Sequence, residues 1–251
     1  KGFESSAAAG AFVAMLTLTH GQSSEGDGLF ADQQAATHRL RGLDVSVEKT
    51  AAEKAQQLLT IELKSVEQLK QLENADSRIN FSEQRSGKYI SIVAECYQGL
   101  VTGDIERFTS KSWELPLTGQ DWLPFRRSNN TNQYYADVSE IIYWQQGTGK
   151  LSKYAEASRA QLHDMHESGN RAWGKLGIAV NRMGDLNATS YWGEHFDNNV
   201  AVIFPKASEV DVSTLYSFII SDDFSTSVRE LDQAIKVTNK TLLKVPFDLE
   251  Q

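Results

Sequence analysis

The sequence predicts an α+β fold: twisted, mainly antiparallel sheets with peripheral helices, preceded by a helical connector. Three observations carry that expectation. Short β-prone runs recur through the second half, such as Glu140-Ile-Ile-Tyr-Trp144 and Val200–Phe204. Aromatic residues are spread among turns there, including Trp113, Trp122, Phe125, Tyr134, Tyr135, Tyr143 and Trp144. Helical spacing is confined to separate stretches before and after them.

The elements follow in order. Phe12–Leu18 reads as one buried strand, and 21–32, rich in Gly, Ser and Asp, as a loop. Thr50 and Glu53 form a capping box ahead of strong helix formers through Leu59. Ser65 with Gln68 repeats the signature, and Val66, Leu69 and Leu72 predict a second helix ending at Asn74. A short strand is expected over Lys88–Val93, leading into the Gly-flanked segment Tyr97–Phe108. Leu151, Tyr154, Ala155, Leu162 and Met165 predict a helix stopped by Gly169. Strands are expected at Gly177–Val180, Thr189–Trp192 and Val200–Phe204, and helices at Val212–Ile220 and Phe224–Ile235. Leu242–Val245 is expected as a closing strand.

The 251 residues suffice for one large domain or two small ones. A formal net charge of -8 argues against indiscriminate binding to nucleic acid, which calls for a basic footprint, but leaves room for a local basic face. The single cysteine, Cys96, excludes an internal disulfide framework and fits a reducing, cytoplasmic setting. It reads as a small core residue rather than a reactive thiol. The apolar run Ala7–Leu18 is far shorter than the roughly 20 residues a membrane span needs, so no membrane association is expected.

Complete catalytic constellations are not found. His163 and His166 lie three apart on a helix, but no Glu between them and no third ligand completes a metal site. Asp44 with Glu62-x-Lys64 imitates a nuclease arrangement in a pattern common by chance. Gly147-Thr-Gly-Lys150 lacks the earlier glycine and the final Ser/Thr of a phosphate loop. A Gly-x-Ser-x-Gly elbow does not occur. More informative is the Tyr97–Phe108 segment, where Gly99 and Gly103 shape a loop presenting Thr102, Asp104 and Arg107. It can serve a polar partner or be a hairpin turn with a solvated rim. The Arg126-Arg-Ser-Asn-Asn-Thr-Asn-Gln133 stretch is stocked for nucleic acid, since Arg can bond guanine bidentately and Asn or Gln can bond adenine. Its alternative is a polar surface turn.

Taken together, these residues resemble a known family. Gly99-Leu-Val-Thr-Gly-Asp104 with Arg107-Phe108 and Trp113-Glu114 looks like the start of the target-recognition region of adenine-specific DNA methyltransferases, most closely the type IIG restriction–modification proteins. Further blocks agree in order: Trp122-Leu-Pro-Phe125, Tyr143-Trp-Gln-Gln-Gly147, Ala172-Trp-Gly-Lys-Leu-Gly-Ile178 running on to Tyr191–Asn199, and Val237–Asp248. Gly42-Leu-Asp44 through Ile79 resembles the linker between catalytic and recognition parts.

The resemblance implies three parts: residues 1–20 as a late strand of an upstream methyltransferase domain, 21–80 as loop and helical connector, and 81–251 as the target-recognition domain. The family's Gly-rich cofactor motif and its Asn-Pro-Pro-Tyr-type tetrapeptide are absent. They would bind S-adenosylmethionine and hold a flipped adenine in the parent protein. This fragment is therefore expected to carry no cofactor, no metal and no chemistry. Its expected partners are double-stranded DNA and the upstream domain. The DNA contacts implied are Thr102, Asp104, Arg107, Arg126, Arg127, Asn129 and Asn130, with Lys175, Arg182 and Asn198 from the third block. Arg and Asn would meet base edges, Lys and Thr phosphates. Two other readings stay open: a docking or structural module of the same parent, and the recognition part of a nuclease-free phage-defence methyltransferase.

Overall fold

The computed structural model describes residues 39–45, 48, 50–73, 79, 81, 88–115, 121–162, 165–206, 210–232 and 234–247. The expected strand Phe12–Leu18, the 21–32 loop, Asn74 and His163 lie outside these residues. The chain divides into two compact units, Lys1–Arg85 and Ser86–Gln251. The fold is α+β with antiparallel sheets.

In the first unit, β1 (Arg39–Gly42) pairs antiparallel with β2 (Lys64–Glu67). Between them runs α1 (Ala51–Thr60), opened by the expected capping box. The Glu53 N–H donates to Thr50 Oγ1 at 3.2 Å, and the Thr50 N–H donates to Glu53 Oε2 at 2.9 Å. The second connector helix is corrected. Val66 pairs with Leu40 in a strand, the Arg39 side chain donates to Ser65, and a 3-10 turn over Leu69–Glu73 leaves Leu69 and Leu72 exposed. Pairing with β1 outweighs the helical spacing of three leucine and valine positions.

The second unit opens with β3 (Lys88–Tyr89), α2 (Ile90–Val93) and β4 (Ala94–Gln98). One continuous strand over Lys88–Val93 would point Ile90 and Val93 to opposite faces, whereas a helical turn puts both on one side. Both are buried in the same core, which explains the correction. Next come α3 (Ile105–Phe108), β5 (Thr109–Lys111), β6 (Trp122–Arg126) and β7 (Glu140–Tyr143). The helix expected from Leu151 onward breaks at Ser158 into α4 (Lys150–Ala157) and α5 (Arg159–Leu162). Then follow β8 (Gly177–Asn181), β9 (Ala188–Tyr191), β10 (His195–Phe196) and β11 (Val200–Pro205). The chain continues through α6 (Val212–Ile219), α7 (Asp222–Leu231), α8 (Asn239–Leu243) and β12 (Pro246–Phe247).

Two expectations near the end are corrected. α7 stops at Leu231, so Phe224 and Val228 are buried while Ile235 is exposed beyond the helix. Leu242 belongs to a helix rather than a strand. Thr238 caps it, accepting from the Thr241 N–H at 3.1 Å, and Leu242 and Val245, three apart, both enter the core.

The main sheet has the order β4-β11-β8-β9, antiparallel throughout. Alternation sends Ala201 and Ile203 of β11 to one face and Val200, Val202 and Phe204 to the other. The first face packs against the C-terminal helices, with free Cys96 buried among Ile178, Leu215, Phe224 and Leu242. Burial pushes the Cys96 thiol far above its ordinary range, consistent with a core role. The other face carries Tyr191, Phe196 and Ala172, with Trp173 packed against them. Trp173 also meets the core of the second sheet, order β10-β6-β7-β5, built from Leu100, Phe108, Phe125, Ile142, Trp144 and Leu151. The β10–β6 pairing is parallel.

The two sheets meet at Gly99. A Cβ there would stand 2.2 Å from the Phe196 carbonyl oxygen and 2.3 Å from that of Asp197. Gly99→Ala should lower the unfolding free energy by about 3 kcal/mol, since backbone must shift. Gly184, at φ +66 with open space around it, should lose only about 1 kcal/mol as alanine. Urea denaturation midpoints check the contrast, and equal losses at both sites would contradict it.

Candidate functional site

The first loop leaves β4 with Gly99 and seats Leu100 in the core, its N–H donating to the Phe196 carbonyl at 2.9 Å. Thr102 is buried, so the phosphate contact expected of it is not offered at the surface. Gly103 takes φ 72, and Asp104 caps α3 by accepting from the Arg107 N–H at 3.3 Å. Arg107 is exposed. Its guanidinium lies 5.2 Å from the Phe108 ring centroid and 5.3 Å from that of Tyr154.

The second loop is used differently from expectation. Arg126 is 2% exposed, its guanidinium paired with Glu194 and donating to the Ala136 carbonyl at 3.2 Å. Arg126, expected at a base edge, is thus buried and engaged with these partners rather than carried on an exposed loop. Arg127 is half-buried between Glu140, at 3.0 Å, and Asp197, at 3.8 Å. Asn129 donates its N–H to Asn181 Oδ1 at 3.1 Å, and the Asn181 amide donates back to the Asn129 carbonyl. Asn132 Oδ1 accepts from the Ala188 N–H at 2.8 Å, and the Ser190 N–H donates to the Tyr134 carbonyl. These bonds fix the loop along β9. Asn130 remains exposed.

In the third block, Arg182 is 7% exposed and donates to the carbonyls of Val237 (2.9 Å) and Asn198 (2.9 Å) and to Gln98 Oε1 (2.8 Å). It clamps three chain segments together, so Arg182, expected to contact DNA, is buried and engaged within the fold. Asn198 takes part through its backbone. Lys175 is exposed, its ammonium 4.2 Å from the Phe204 ring centroid. Phe204 stacks on Tyr97 at 5.9 Å, and Arg171 lies 6.0 Å from the Tyr97 ring, also donating to its hydroxyl at 3.3 Å. Two cations thus hold the ends of one stacked aromatic pair. Lys150, first residue of α4, adds another cation 5.8 Å from the Tyr143 ring. Neither Arg171 nor Lys150 stands out in the sequence, because the rings beneath them come from distant positions.

A cavity of about 770 Å³ opens between the β5 end, β6, the second loop and the turn after β9. Three exposed rings line it: Trp113 at 71%, Tyr135 at 62% and Trp192 at 58% exposure. Arg126 and Glu194 form part of its wall, with Asp137, Ser112 and Ser139. The Trp192 indole N–H donates to Ser190 Oγ at 3.1 Å and its backbone N–H to Glu194 Oε2 at 3.0 Å. Gly193, at φ +102, packs against the Gly174 backbone, so the turn is closely seated. Sequence reasoning placed Trp113 and Trp192 in family blocks without giving them a role.

Below this turn, His195 is sandwiched with Trp173 at 4.0 Å and Trp144 at 4.7 Å between ring centroids. It is 9% exposed, and Nε2 has no hydrogen-bond partner among the described residues. Burial pulls its imidazole down to about 4. It is a neutral ring of the core at neutral pH. Among the described residues, no group of three or more His, Cys, Asp or Glu side chains is placed to hold a metal ion. No described helix is long and apolar enough to cross a membrane.

No protein-family model matches the chain, and comparison with the curated proteins finds no match.

The buried ion pair and the buried imidazole can each be tested. Removing one partner of a buried ion pair strands the other, so Arg126→Met and Glu194→Gln should each lower stability by about 3 kcal/mol. The double variant should lose clearly less than the sum, and additive losses in urea unfolding would exclude coupling. For His195, the unfolded imidazole takes up a proton as pH falls through 6.5, while the folded one resists until about 4. Its contribution is therefore complete above that upper value and is lost as pH falls toward the lower one. The loss is on the order of 3 kcal/mol. Comparing the pH profile of unfolding with that of His195→Phe checks this: the variant should lack that part of the acid slope.

Proposed function

We propose that this chain is the DNA target-recognition part of an S-adenosylmethionine-dependent adenine-specific DNA methyltransferase of the type IIG kind, and that Ser86–Gln251 grips and reads duplex DNA. The supporting observation is the state of four exposed cations. Arg107, Lys150, Arg171 and Lys175 each lie over an aromatic ring, and among the described residues none has a carboxylate within ion-pair distance. A ring steadies a cation without neutralising it. The N–H groups of a stacked guanidinium point outward in its plane, where phosphate oxygens can accept them. In a chain of net charge -8, holding Arg107, Lys150 and Lys175 exposed on rings, with Arg171 feeling Glu95 only across the Tyr97 hydroxyl, supports a local anionic partner.

On this reading Lys175 keeps the phosphate role expected of it, Arg107, expected at a base edge, becomes a phosphate contact, and Arg171 and Lys150 join them. Arg126, Arg182, Asn129 and Asn198 hold the scaffold. Asn130 is the exposed residue of the second loop left to meet a base, while Arg127 would have to leave Glu140 and Asp197 to do so. Methyl transfer falls to the part of the parent that carries the cofactor and tetrapeptide motifs. The first unit supports the expected partnership with that part: Leu58, Leu59, Leu63 and Leu69 are exposed apolar side chains that a partner could cover.

A salt series of duplex binding tests the reading. Affinity should fall linearly with salt on logarithmic axes, and Arg107→Ala or Lys175→Ala should each weaken binding several-fold and flatten the slope by about one. Variants that bind duplex with the parental affinity and slope exclude it.

A further inference from the structure

The ring-borne cations are assigned to phosphates on the reading above, and the aromatic cavity is left without a role. Three large rings held in water are costly unless something covers them, and isolated exposed aromatics do not normally converge on one concave site. The Trp192 ring is also fixed in place, and the backbone segments that carry the other two are held. Trp192 is held by its indole bond to Ser190, its backbone bond to Glu194 and the Gly193–Gly174 contact. Trp113 sits in a turn closed by the Lys111 N–H and the Ser110 hydroxyl, both donating to Glu114 Oε2, at 3.0 and 2.8 Å. Tyr135 follows Tyr134, whose carbonyl is bonded to β9. A ring whose orientation is settled before binding loses little freedom when a second ring stacks on it.

The polar wall narrows the class of occupant. Glu194 is balanced by Arg126, which leaves Asp137 as the lining charge with no ion-pair partner among the described residues. That carboxylate repels phosphate and accepts from N–H donors. The hydroxyls of Ser112 and Ser139 can do either. Stacking faces combined with a carboxylate edge suit a planar heteroaromatic ring bearing an exocyclic amine. The volume, about 770 Å³, has room for such a ring and its attached sugar.

We propose that the cavity between Trp113, Tyr135 and Trp192 holds a nucleobase displaced from the duplex stack, an adenine or cytosine whose amine meets Asp137. This rests on the DNA-reading proposal above and adds to it: the recognition part would shelter an unpaired base itself, apart from the base taken by the catalytic domain. No covalent step is involved.

The experiment compares three short synthetic duplexes bound to the full chain: one fully paired, one with a single extrahelical adenine, one with an abasic position. A base already out of the stack spares the unstacking cost, so the extrahelical adenine should bind about tenfold more tightly than the paired duplex. Trp192→Ala and Trp113→Ala should abolish that preference while leaving abasic-duplex affinity and the salt slope unchanged. Trp192→Phe should restore most of it, and Asp137→Asn should reduce it. Thermal melts confirm that these surface variants fold. Salt-dependent duplex binding with no preference for the extrahelical adenine, or with a preference that survives Trp192→Ala, overturns the cavity proposal and leaves the DNA reading standing. Loss of all duplex binding by the unaltered chain defeats both. Quenching of tryptophan fluorescence by a neutral oligosaccharide, but not by the adenine-bearing duplex, also overturns it in favour of a sugar.

Discussion

The close approach of the Gly99 backbone to Phe196 and Asp197 is the constraint on which the second unit depends. Four bonds converge there: the Gly99 N–H on the Val200 carbonyl, the Leu100 N–H on Phe196, the Asp197 N–H on Arg126, and the Val200 N–H on Asp197. They tie β4 of one sheet to the β10–β6 edge of the other with no side chain between the backbones. A methyl group at residue 99 is enough to force them apart. Because β6 leads into the second loop and β10 follows the Trp192 turn, this one junction sets the cavity walls. The Asp197 carboxylate adds to it by accepting from the Asn199 N–H at 2.7 Å while standing 3.8 Å from Arg127.

Charge is handled in two ways, and the difference decides which residues can act. Arg126 and Arg182 are desolvated, and each is surrounded by acceptors from distant parts of the chain. A buried guanidinium without such acceptors would be strongly unfavourable, so these bonds are obligatory rather than available. Arg107, Lys150 and Lys175 instead rest on rings and are exposed, and Arg171 does so while donating to the Tyr97 hydroxyl at 3.3 Å. Glu140, Glu194 and Asp197, meanwhile, are committed to arginine and lysine partners. Net acidity therefore says little about the local potential where the ring-borne cations emerge.

Much of the fold was legible because its signals are local. The capping box at Thr50, the strands at 177–181, 188–191 and 200–205, and the starts of α6 and α7 all rest on neighbouring residues. Misreadings occurred where short β-branched runs were decided by distant contacts. Ile90–Val93 becomes helical to place two side chains in one core, and Val66 becomes a strand because β1 is there to pair with it. The site was harder still. In sequence, Arg107 and Arg126 are both arginines beside aromatic residues; what separates them is Glu194, 68 positions from Arg126. The cavity was invisible for the same reason, since Trp113, Tyr135 and Trp192 come from three segments and meet only when the second loop runs along β9.

That run of the second loop shows why its amides behave as they do. An Asn-rich loop can offer its side chains to a partner or spend them on its own path, and a single amide cannot do both fully. Asn129 and Asn132 are spent: the Asn129 side-chain amide donates to the Thr131 carbonyl at 3.3 Å while its backbone exchanges bonds with the Asn181 amide, and the Asn132 side chain holds the Ala188 N–H. The result is a loop with a fixed course that carries Asn130 outward and sets Tyr135 at the cavity rim. Rigid presentation is worth more to recognition than extra donors on a mobile loop, because each donor ordered on binding subtracts from the affinity it supplies. An amide-rich stretch should therefore be judged by which amides are already engaged, and here the engaged ones are what make the exposed ones useful.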